Sequence, residues 1–362
     1  MAIPALTSSR SRSSRPNSPR AANSANLSLR ILPPGAAPPY LAPPFSRILN
    51  SERRTRLDFR PRSGRDGHSV RRRLYTLDVF TNKPYSGNPL AVIADGDGIS
   101  ADRMQAIARE MNLAETVFVQ RPSHNGALAR LRIFTTTQEL PLAGHPVIGT
   151  WFLLAMLGVV PHNEGTVRVT QEVGAGLLPV DVHFENGRPA RITMTQKPAR
   201  FFPARVPTKA LTEALGLRPT DLHPKLPLEY VSTGIFNLMV PLRNRAALKR
   251  IRLDIHALAH LISEHGTLAY CFAAGRRGEV FARGMVPWAL FEDPATGSAA
   301  GSLGAYLVQH EKLQLGETLE IHQGVEMGRN SEIQVVVERA GTKLVPRVSG
   351  SAVLVVEGHI DV

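Results

Sequence analysis

The 362-residue sequence predicts an α+β protein with two pseudo-symmetric lobes, each a mixed β-sheet rolled around a central apolar helix. Three observations predict this fold class. Segments that alternate polar and apolar residues are more numerous than helical ones. Two predicted helices, over 147–160 and beyond the Gly- and Ala-rich turn at 293–301, are so apolar that other structure must surround them. The two halves of the chain also repeat the same order of predicted elements.

The first lobe is expected over 74–188. "LYTLDVFT" and "PLAVIAD" alternate as strands do, and Ser100 is a plausible N-cap for a helix whose apolar residues recur at helical spacing. Strands are predicted at "ETVFVQ", "ARLRIFTTTQEL" and "TVRVTQ", and on both sides of the Asn186-Gly187 turn. Glu115 lies where the helix gives way to the first of these strands.

The second lobe is expected over 189–362, after a Pro-bearing stretch near 197–207. A helix at "TKALTEALGL", strands at "LEYVSTG" and "FNLMVPL", a helix at "DIHALAHLISEHG" and strands at "LAYCFAAG" and "GEVFARGMV" precede the second apolar helix. At an offset of 152 residues, Gly149 aligns with Gly301 and Thr150 with Ser302. Together with the similar order of elements, this alignment predicts an internal pseudo-repeat.

Most of the positive charge lies in residues 1–73, which hold fifteen Arg, no Lys and three acidic residues, a net charge of +12. The Ser-, Pro- and Arg-rich composition predicts a disordered extension. This extension is either an organelle transit peptide or the product of a start codon assigned too far upstream in an Arg-biased, GC-rich bacterial genome. The rest of the chain carries only +1, so we expect no nucleic-acid binding.

The sequence gives no reason to expect a membrane protein or a disulfide-stabilised one. The longest apolar run, 147–160, is shorter than the ~20 residues that a membrane-spanning helix needs. The single cysteine, Cys271, permits no intrachain disulfide and no cysteine-based metal site. We therefore expect a cytoplasmic protein without metal, or an organellar one if residues 1–73 are a transit peptide.

Both apolar helices begin at a corner of small and polar residues. The first N–H groups of a helix have no intrahelical partner and lie at the positive end of its dipole. Two such helix starts that face each other across a cleft would bind an anion, most simply a carboxylate. The small residues that would let a ligand approach the backbone are Gly144, Gly149, Thr296, Gly297, Ala299 and Ala300, and the polar side chains beside them are His145, Asp293 and Ser298.

Four motifs carry a resemblance to a known family. In order, they are "DVFT…PYSGNPLAV", "MQAIAREMNLAETVFV", "ELPLAGHPVIGT" and "EDPATGSAAG". The chain resembles the PhzF-like phenazine-biosynthesis family, relatives of diaminopimelate epimerase, over roughly 74–359. The resemblance implies the diaminopimelate epimerase-like fold and a homodimer. It also implies that the last strand, "AVLVVEGHI", can return to the first lobe.

The resemblance also implies site residues and an activity. It places the catalytic set on Glu115, His145 and Asp293, and the substrate-binding set on Gly144, Thr296, Gly297 and Ser298. The activity implied is that of a cofactor-independent, metal-free isomerase, which moves a proton in a small carboxylate metabolite by general acid/base catalysis through Glu115. A two-thiol epimerase mechanism is excluded because the chain has one cysteine.

The match to the family pattern is not complete. Ala114 stands where the family has Ser, and Thr135–Thr137 replaces a frequent Phe-Thr-Pro.

Each of these residues also has an ordinary structural interpretation. Glu115 alone could be a solvated surface acid, His145 a hydrogen-bonding core residue, Asp293 a turn former and Ser298 a helix N-cap. Asn88 in "GNP" is interpreted mainly as turn structure. The alternative function is a ligand- or partner-binding protein that retains the isomerase fold but performs no chemistry.

Overall fold

The structure is a computed structural model that describes residues 70–160, 164–262, 268–289 and 291–362. Within these ranges the chain forms strands that all belong to one hydrogen-bonded sheet, together with α-helices and short 3₁₀ turns. The strands are β1 (Arg71–Val79), β2 (Asn88–Ile93), β3 (Thr116–Gln120), β4 (Ala129–Phe134), β5 (Glu139–Leu140), β6 (Gly165–Val173), β7 (Gly176–Glu185), β8 (Arg188–Thr195), β9 (Arg200–Pro203), β10 (Glu229–Ser232), β11 (Phe236–Pro241), β12 (Leu268–Ala274), β13 (Glu279–Val286), β14 (Phe291–Asp293), β15 (Thr318–Gln323), β16 (Ser331–Ala340), β17 (Lys343–Gly350) and β18 (Ala352–Asp361). The helices are α1 (Ala101–Met111), α2 (Gly144–Met156), α3 (Thr208–Ala214), α4 (Arg245–Arg250), α5 (Ile255–Ile262) and α6 (Gly297–Gln309).

The strand pairings repeat once along the chain. One half of the sheet has the order β18–β1–β2–β3–β4–β6–β7–β8, with parallel steps at β2–β3 and β4–β6. The other half has the order β9–β10–β11–β12–β13–β15–β16–β17, with parallel steps at the corresponding places, β11–β12 and β13–β15. The antiparallel pair β8–β17 joins the halves. This repetition confirms the predicted α+β fold with pseudo-symmetric halves.

Each half surrounds one apolar helix. Helix α2 contacts β1, β2, β7 and β8, and α6 contacts the corresponding strands β10, β11, β16 and β17. Every residue of α2 from His145 to Ala155 is buried, and so are most residues of α6. Fully burying one large side chain contributes about 1.5–3 kcal/mol, so these helices, together with the strands that enclose them, form the centre of the core.

Each central helix carries one large buried aromatic side chain whose polar end is satisfied. The indole Nε1 of Trp151 on α2 donates to Gln171 Oε1 at 2.8 Å. The hydroxyl of Tyr306 on α6 donates to the carbonyl oxygen of Pro227 at 2.7 Å. These bonds satisfy the polar atoms of both side chains, which would otherwise cost free energy to bury.

Several local predictions are confirmed. Ser100 caps α1, since its hydroxyl accepts a hydrogen bond from the Arg103 backbone N–H at 3.2 Å. The β7–β8 hairpin turns at Asn186 and Gly187, which both have positive φ, 52° and 72°. Positive φ at both central residues is the geometry of a two-residue hairpin turn that matches the twist of the strands.

Other predictions of local structure were wrong or incomplete. The first strand does not begin at Leu74: it includes Arg71–Arg73, which pair with the carboxyl-terminal strand, a long-range contact that local composition does not reveal. Residues 1–69 of the predicted extension lie outside the described residues. The stretch "ARLRIFTTTQEL" is two strands, because Thr135 Oγ1 accepts the backbone N–H groups of Thr137 and Gln138 and forms a turn.

The lobe boundary proposed at residue 188 falls on the first residue of β8, which pairs with β7 on one side and β17 on the other. The division into lobes at this residue stays a prediction. The last strand, β18, pairs along its length with β1. Among the helices of the described ranges, none is both long and apolar enough to cross a bilayer.

Candidate active site

The amino-terminal ends of the two central helices meet. Gly144 and Gly297 are the first residues of α2 and α6, and a methyl group added at Gly144 would lie 3.4 Å from Gly297 Cα. Neither helix has a side-chain cap or an acidic residue in its first turn. The N–H groups at both starts therefore point, without a side-chain cap, towards a shared region where an anion would be stabilised.

Glu115 and His145 face each other at this junction. Helix α1 is capped at its carboxyl end by Asn112, whose left-handed conformation (φ 51°) redirects the chain, and Glu115 directly precedes β3. His145 is the second residue of α2. The distance from Glu115 Oε2 to His145 Nε2 is 3.3 Å, and the two side chains are only 16% and 8% exposed. Both atoms are buried without a hydrogen-bond partner among the described residues.

Burial keeps both side chains uncharged near neutral pH. Loss of hydration, together with the nearby charge of Asp293, raises the pKa of Glu115 from 4.5 to about 8. The same loss of hydration lowers the pKa of His145 from 6.5 to about 3. A carboxyl group that titrates near pH 8 can both accept and release a proton under physiological conditions.

Asp293 is held at the end of β14 by two donors. Its Oδ1 accepts from Asn88 Nδ2 at 2.8 Å, and its Oδ2 accepts from Thr296 Oγ1 at 2.6 Å. Burial raises the pKa of Asp293 to about 6, although these hydrogen bonds favour the charged form. At pH 7 Asp293 is therefore mostly ionised, which explains its effect on Glu115.

Asn88, the first residue of β2, connects the two helix starts. Besides Asp293, its Nδ2 lies 2.9 Å from the carbonyl oxygen of Ala295 and 3.3 Å from His145 Nδ1. The side chain is 1% exposed. One amide group thus contacts His145 on α2 and the segment that leads into α6.

A second buried amide supports the start of α6. Gln323 Oε1 accepts from the Thr296 backbone N–H at 3.0 Å and from the Tyr270 hydroxyl at 2.8 Å. Gln323 Nε2 donates to the carbonyl oxygen of Asp293 at 2.7 Å and to Thr296 Oγ1 at 2.9 Å. Three of these bonds hold the segment from Asp293 to Thr296, and the fourth anchors Gln323 to Tyr270.

The structure brings the catalytic and substrate-binding residues that the resemblance implies together, around the two helix starts. Two of the ordinary structural interpretations were wrong: Glu115 is not a solvated surface acid, and Ser298 is not an N-cap, because the N-cap of α6 is Thr296. The expectation that Gly149 would let a ligand approach the backbone was also wrong. A methyl group there would lie 2.6 Å from the side chains of Val79 and Leu90, so this glycine permits close packing.

Sequence reasoning missed Asn88 and Gln323. Asn88 lies within the first family-like motif, and this position could have indicated a role in the site. Because Asn88 also lies beside a turn, a role in that turn was enough to explain it. Gln323 ends β15 and belongs to none of the motifs, so the sequence holds no signal for it. Both residues make contacts with residues far away in the sequence. Asn88 is separated from His145 by 57 positions, and Gln323 is separated from Thr296 by 27 positions.

No group of three or more His, Cys, Asp and Glu side chains that could hold a metal ion occurs in the part of the chain that the structure describes. Cys271 is buried on β12, in the hydrophobic cluster around α3 and α5, and burial raises its pKa to about 12. Its thiol is therefore a protonated core group near neutral pH.

A comparison with models of protein families identifies the family. Residues 77–358 match the PhzC-PhzF model, described as phenazine biosynthesis-like protein. The chain belongs to the PhzF family. This match covers all four motifs and the whole set of residues at the helix starts.

Similar proteins place this PhzF-family chain among isomerases. It is 37% identical over 292 residues to trans-2,3-dihydro-3-hydroxyanthranilate isomerase of Pseudomonas aeruginosa, which covers 79% of this chain and 98% of that protein. The crystal structure of a Bacillus anthracis phenazine biosynthesis protein of the PhzF family superimposes with a TM-score of 0.73 at 28% identity, covering 80% of this chain and 99% of that one. A predicted epimerase from Pseudomonas aeruginosa gives a TM-score of 0.68 at 31% identity, with coverage of 80% and 99%. The chain is therefore an isomerase of the PhzF family with a diaminopimelate epimerase-like fold.

Proposed function

We propose that this PhzF-family isomerase moves a proton between two carbon atoms of a small carboxylate metabolite, with Glu115 as the general acid/base and no metal or organic cofactor. One observation carries the proposal: the unpaired Glu115 Oε2 and His145 Nε2 lie 3.3 Å apart where two uncapped helix starts meet. Buried polar atoms are almost always hydrogen-bonded. Two buried polar atoms without hydrogen bonds at the meeting point of two helix starts therefore favour a ligand as the missing partner.

The charges around Glu115 suit removal of a proton next to a carboxylate. Its pKa of about 8 makes the ionised form a stronger base than an ordinary glutamate, while about one carboxyl in ten is ionised at pH 7. The backbone N–H groups at Gly144 and Gly297 would stabilise the negative charge that develops on the substrate. Thr296 holds Asp293 in place, and Ser298, partly exposed in the first turn of α6, is positioned to contact the ligand.

The substrate class we propose is a small, unsaturated or cyclic carboxylate. The Pseudomonas aeruginosa relative is named for trans-2,3-dihydro-3-hydroxyanthranilate, which is the first compound to test. A carboxylate matches the uncapped helix starts, since anions bind at the positive end of a helix.

Deuterium incorporation tests the proposal. Each candidate carboxylate is incubated with the full-length protein in heavy water, and the position of deuterium is read by NMR. We expect deuterium at the carbon that receives the proton. Binding of a candidate, detected by calorimetry, without incorporation into any bound compound would favour the alternative that the chain is a binding protein.

The pH dependence of catalysis follows from the pKa of Glu115. A base must be ionised, and the carboxyl group ionises as pH rises, so kcat/KM is expected to increase with pH and to level off above about 8. Asp293→Asn removes a negative charge that raises this pKa, so the midpoint is expected to move to lower pH. Asp102→Asn, an exposed change on α1, is the control and should leave the midpoint unchanged. A wild-type midpoint near 4.5 would contradict this role.

The homodimer that the family resemblance implies stays a prediction. Sedimentation velocity of the 39.5-kDa chain distinguishes a dimer from a monomer directly.

A further inference from the structure

His145 can carry its single proton on either ring nitrogen, and the two forms differ in what they can do in the cleft. With the proton on Nε2, the ring donates a hydrogen bond towards Glu115 and the proposed substrate position; with the proton on Nδ1, Nε2 can only accept one. The contacts of Asn88 distinguish the two forms.

The orientation of the Asn88 amide is dictated by its neighbours. One end of the amide lies 2.8 Å from Asp293 Oδ1 and 2.9 Å from the carbonyl oxygen of Ala295. A carbonyl oxygen only accepts hydrogen bonds, and so does an ionised carboxylate. If the amide were reversed, its own oxygen would face these two oxygens at hydrogen-bond distance with no hydrogen between them. The amide nitrogen must therefore point towards Asp293 and Ala295.

Asn88 Nδ2 has two N–H groups for three neighbours, Asp293 Oδ1, the Ala295 carbonyl oxygen and His145 Nδ1, so one N–H is shared between an oxygen and His145 Nδ1. The Asn88 Nδ2 lies 3.3 Å from that nitrogen, and an amide nitrogen has no lone pair to offer because it is conjugated with its carbonyl. A proton on Nδ1 would point at a donor and have no acceptor in this contact. His145 Nδ1 is therefore the bare nitrogen, and the proton of the neutral ring belongs on Nε2.

From these contacts we infer that Asn88 is a positioning residue that holds His145 as the Nε2–H tautomer, so that His145 acts in the cleft as a hydrogen-bond donor and Glu115 alone carries the moving proton. The inference rests on the proposed function for its catalytic half, whereas the tautomer itself follows from the contacts alone. Nε2 makes no hydrogen bond among the described residues and faces Glu115 Oε2 at 3.3 Å, so its N–H group is available to a ligand bound beside Glu115.

The assignment fixes which bonds change in each step. The Glu115 carboxylate takes a proton from a substrate carbon: the C–H bond breaks, a Glu115 O–H bond forms, and the electron pair spreads into the substrate. The O–H bond then breaks as a C–H bond forms at another carbon. His145 keeps its Nε2–H throughout, since a neutral imidazole that gave up this proton would become an anion. It donates a hydrogen bond to the developing negative charge.

The experiment is to measure the tautomer by ¹⁵N NMR of the full-length protein labelled at its histidines, with His145→Gln used to assign the signals. In the wild type we expect a protonated Nε2 and a bare Nδ1 across pH 5 to 8, because the pKa of His145 is about 3. A protonated Nδ1 in the wild type would overturn the inference whatever the activity of the enzyme.

Asn88→Ala tests the role of the amide. We expect a signal from Nδ1-protonated His145 to appear and kcat to fall about 10-fold, the scale of one lost positioning hydrogen bond. The matched control is Asn237→Ala, which removes another fully buried asparagine amide that bonds to Ser302 on α6 and not to His145. The control should keep the wild-type tautomer. Unchanged tautomer and kcat in Asn88→Ala would overturn the role of Asn88.

Failure of the proposed function has a different signature. If the wild type incorporates no deuterium into any carboxylate, the proposed chemistry is wrong, yet the Nε2–H tautomer and its loss in Asn88→Ala remain measurable. If deuterium is incorporated but the wild-type tautomer is Nδ1–H, the chemistry stands and the inference about Asn88 is wrong.

Discussion

Glu115→Gln is expected to lower kcat at least ~10²-fold while the protein stays folded, because a positioned acid or base contributes about 10²–10⁴-fold to rate. Glutamine has nearly the same shape as a protonated glutamate, which is the form that burial favours at this position. It can neither take nor return a proton. The steady-state rate on the carboxylate that incorporates deuterium, together with circular dichroism to verify folding, measures the effect.

Glu110→Gln provides the matched control for this loss. Glu110 lies on the same stretch of sequence, is exposed on α1, and undergoes the same replacement of a carboxyl group by an amide. We expect the control to keep the wild-type kcat. If Glu115→Gln kept it as well, the proton would have to move through another group and the proposed role of Glu115 would be wrong.

Glu115→Gln is also expected to stabilise the fold by about 3 kcal/mol at pH 7, since one pKa unit corresponds to about 1.4 kcal/mol. The folded state holds Glu115 protonated up to about pH 8, whereas the unfolded chain releases this proton above pH 4.5. Between these values the native state binds more protons, so the contribution of Glu115 to stability falls as pH rises and then levels off. Glutamine has no proton to lose and avoids this cost.

Denaturant unfolding at pH 4, 7 and 9 measures the difference in stability between Glu115→Gln and the wild type. We expect almost no difference at pH 4, a clear gain at pH 7 and the largest gain at pH 9. A gain that did not depend on pH would mean that Glu115 has an ordinary pKa in the folded protein. The pair of results expected for this residue, lower activity and higher stability, is typical of groups kept in an unfavourable environment for function.

Features that depend on local periodicity could be predicted from the sequence. The apolar character of α2 and α6 requires a surrounding sheet, and Ser100 and the Asn186-Gly187 turn satisfy local rules for a cap and a hairpin. The hypothesis of an anion site required the two helix starts to face each other. The contact between Gly144 and Gly297 fulfils that expectation.

Features that depend on long-range partners could not be predicted. β1 extends back to Arg71 because the final strand pairs with it, although its first residues have the same Arg-rich composition as the extension. Asn88 gains its role from contacts with His145, Asp293 and Ala295, which lie 57 to 207 positions away from it in the sequence. A single sequence carries no direct signal for such contacts, so a turn was the simplest interpretation of this asparagine.

A crystal structure of Glu115→Gln with its bound carboxylate tests the central claim most directly, because the inactive variant keeps the substrate intact. We expect the carboxylate group to bind the backbone N–H groups at Gly144 and Gly297. We also expect the reacting carbon to lie about 3–3.5 Å from the side-chain amide at position 115, the separation that reaction requires. A substrate bound away from the two helix starts, or turned so that no carbon faces residue 115, would contradict the central claim.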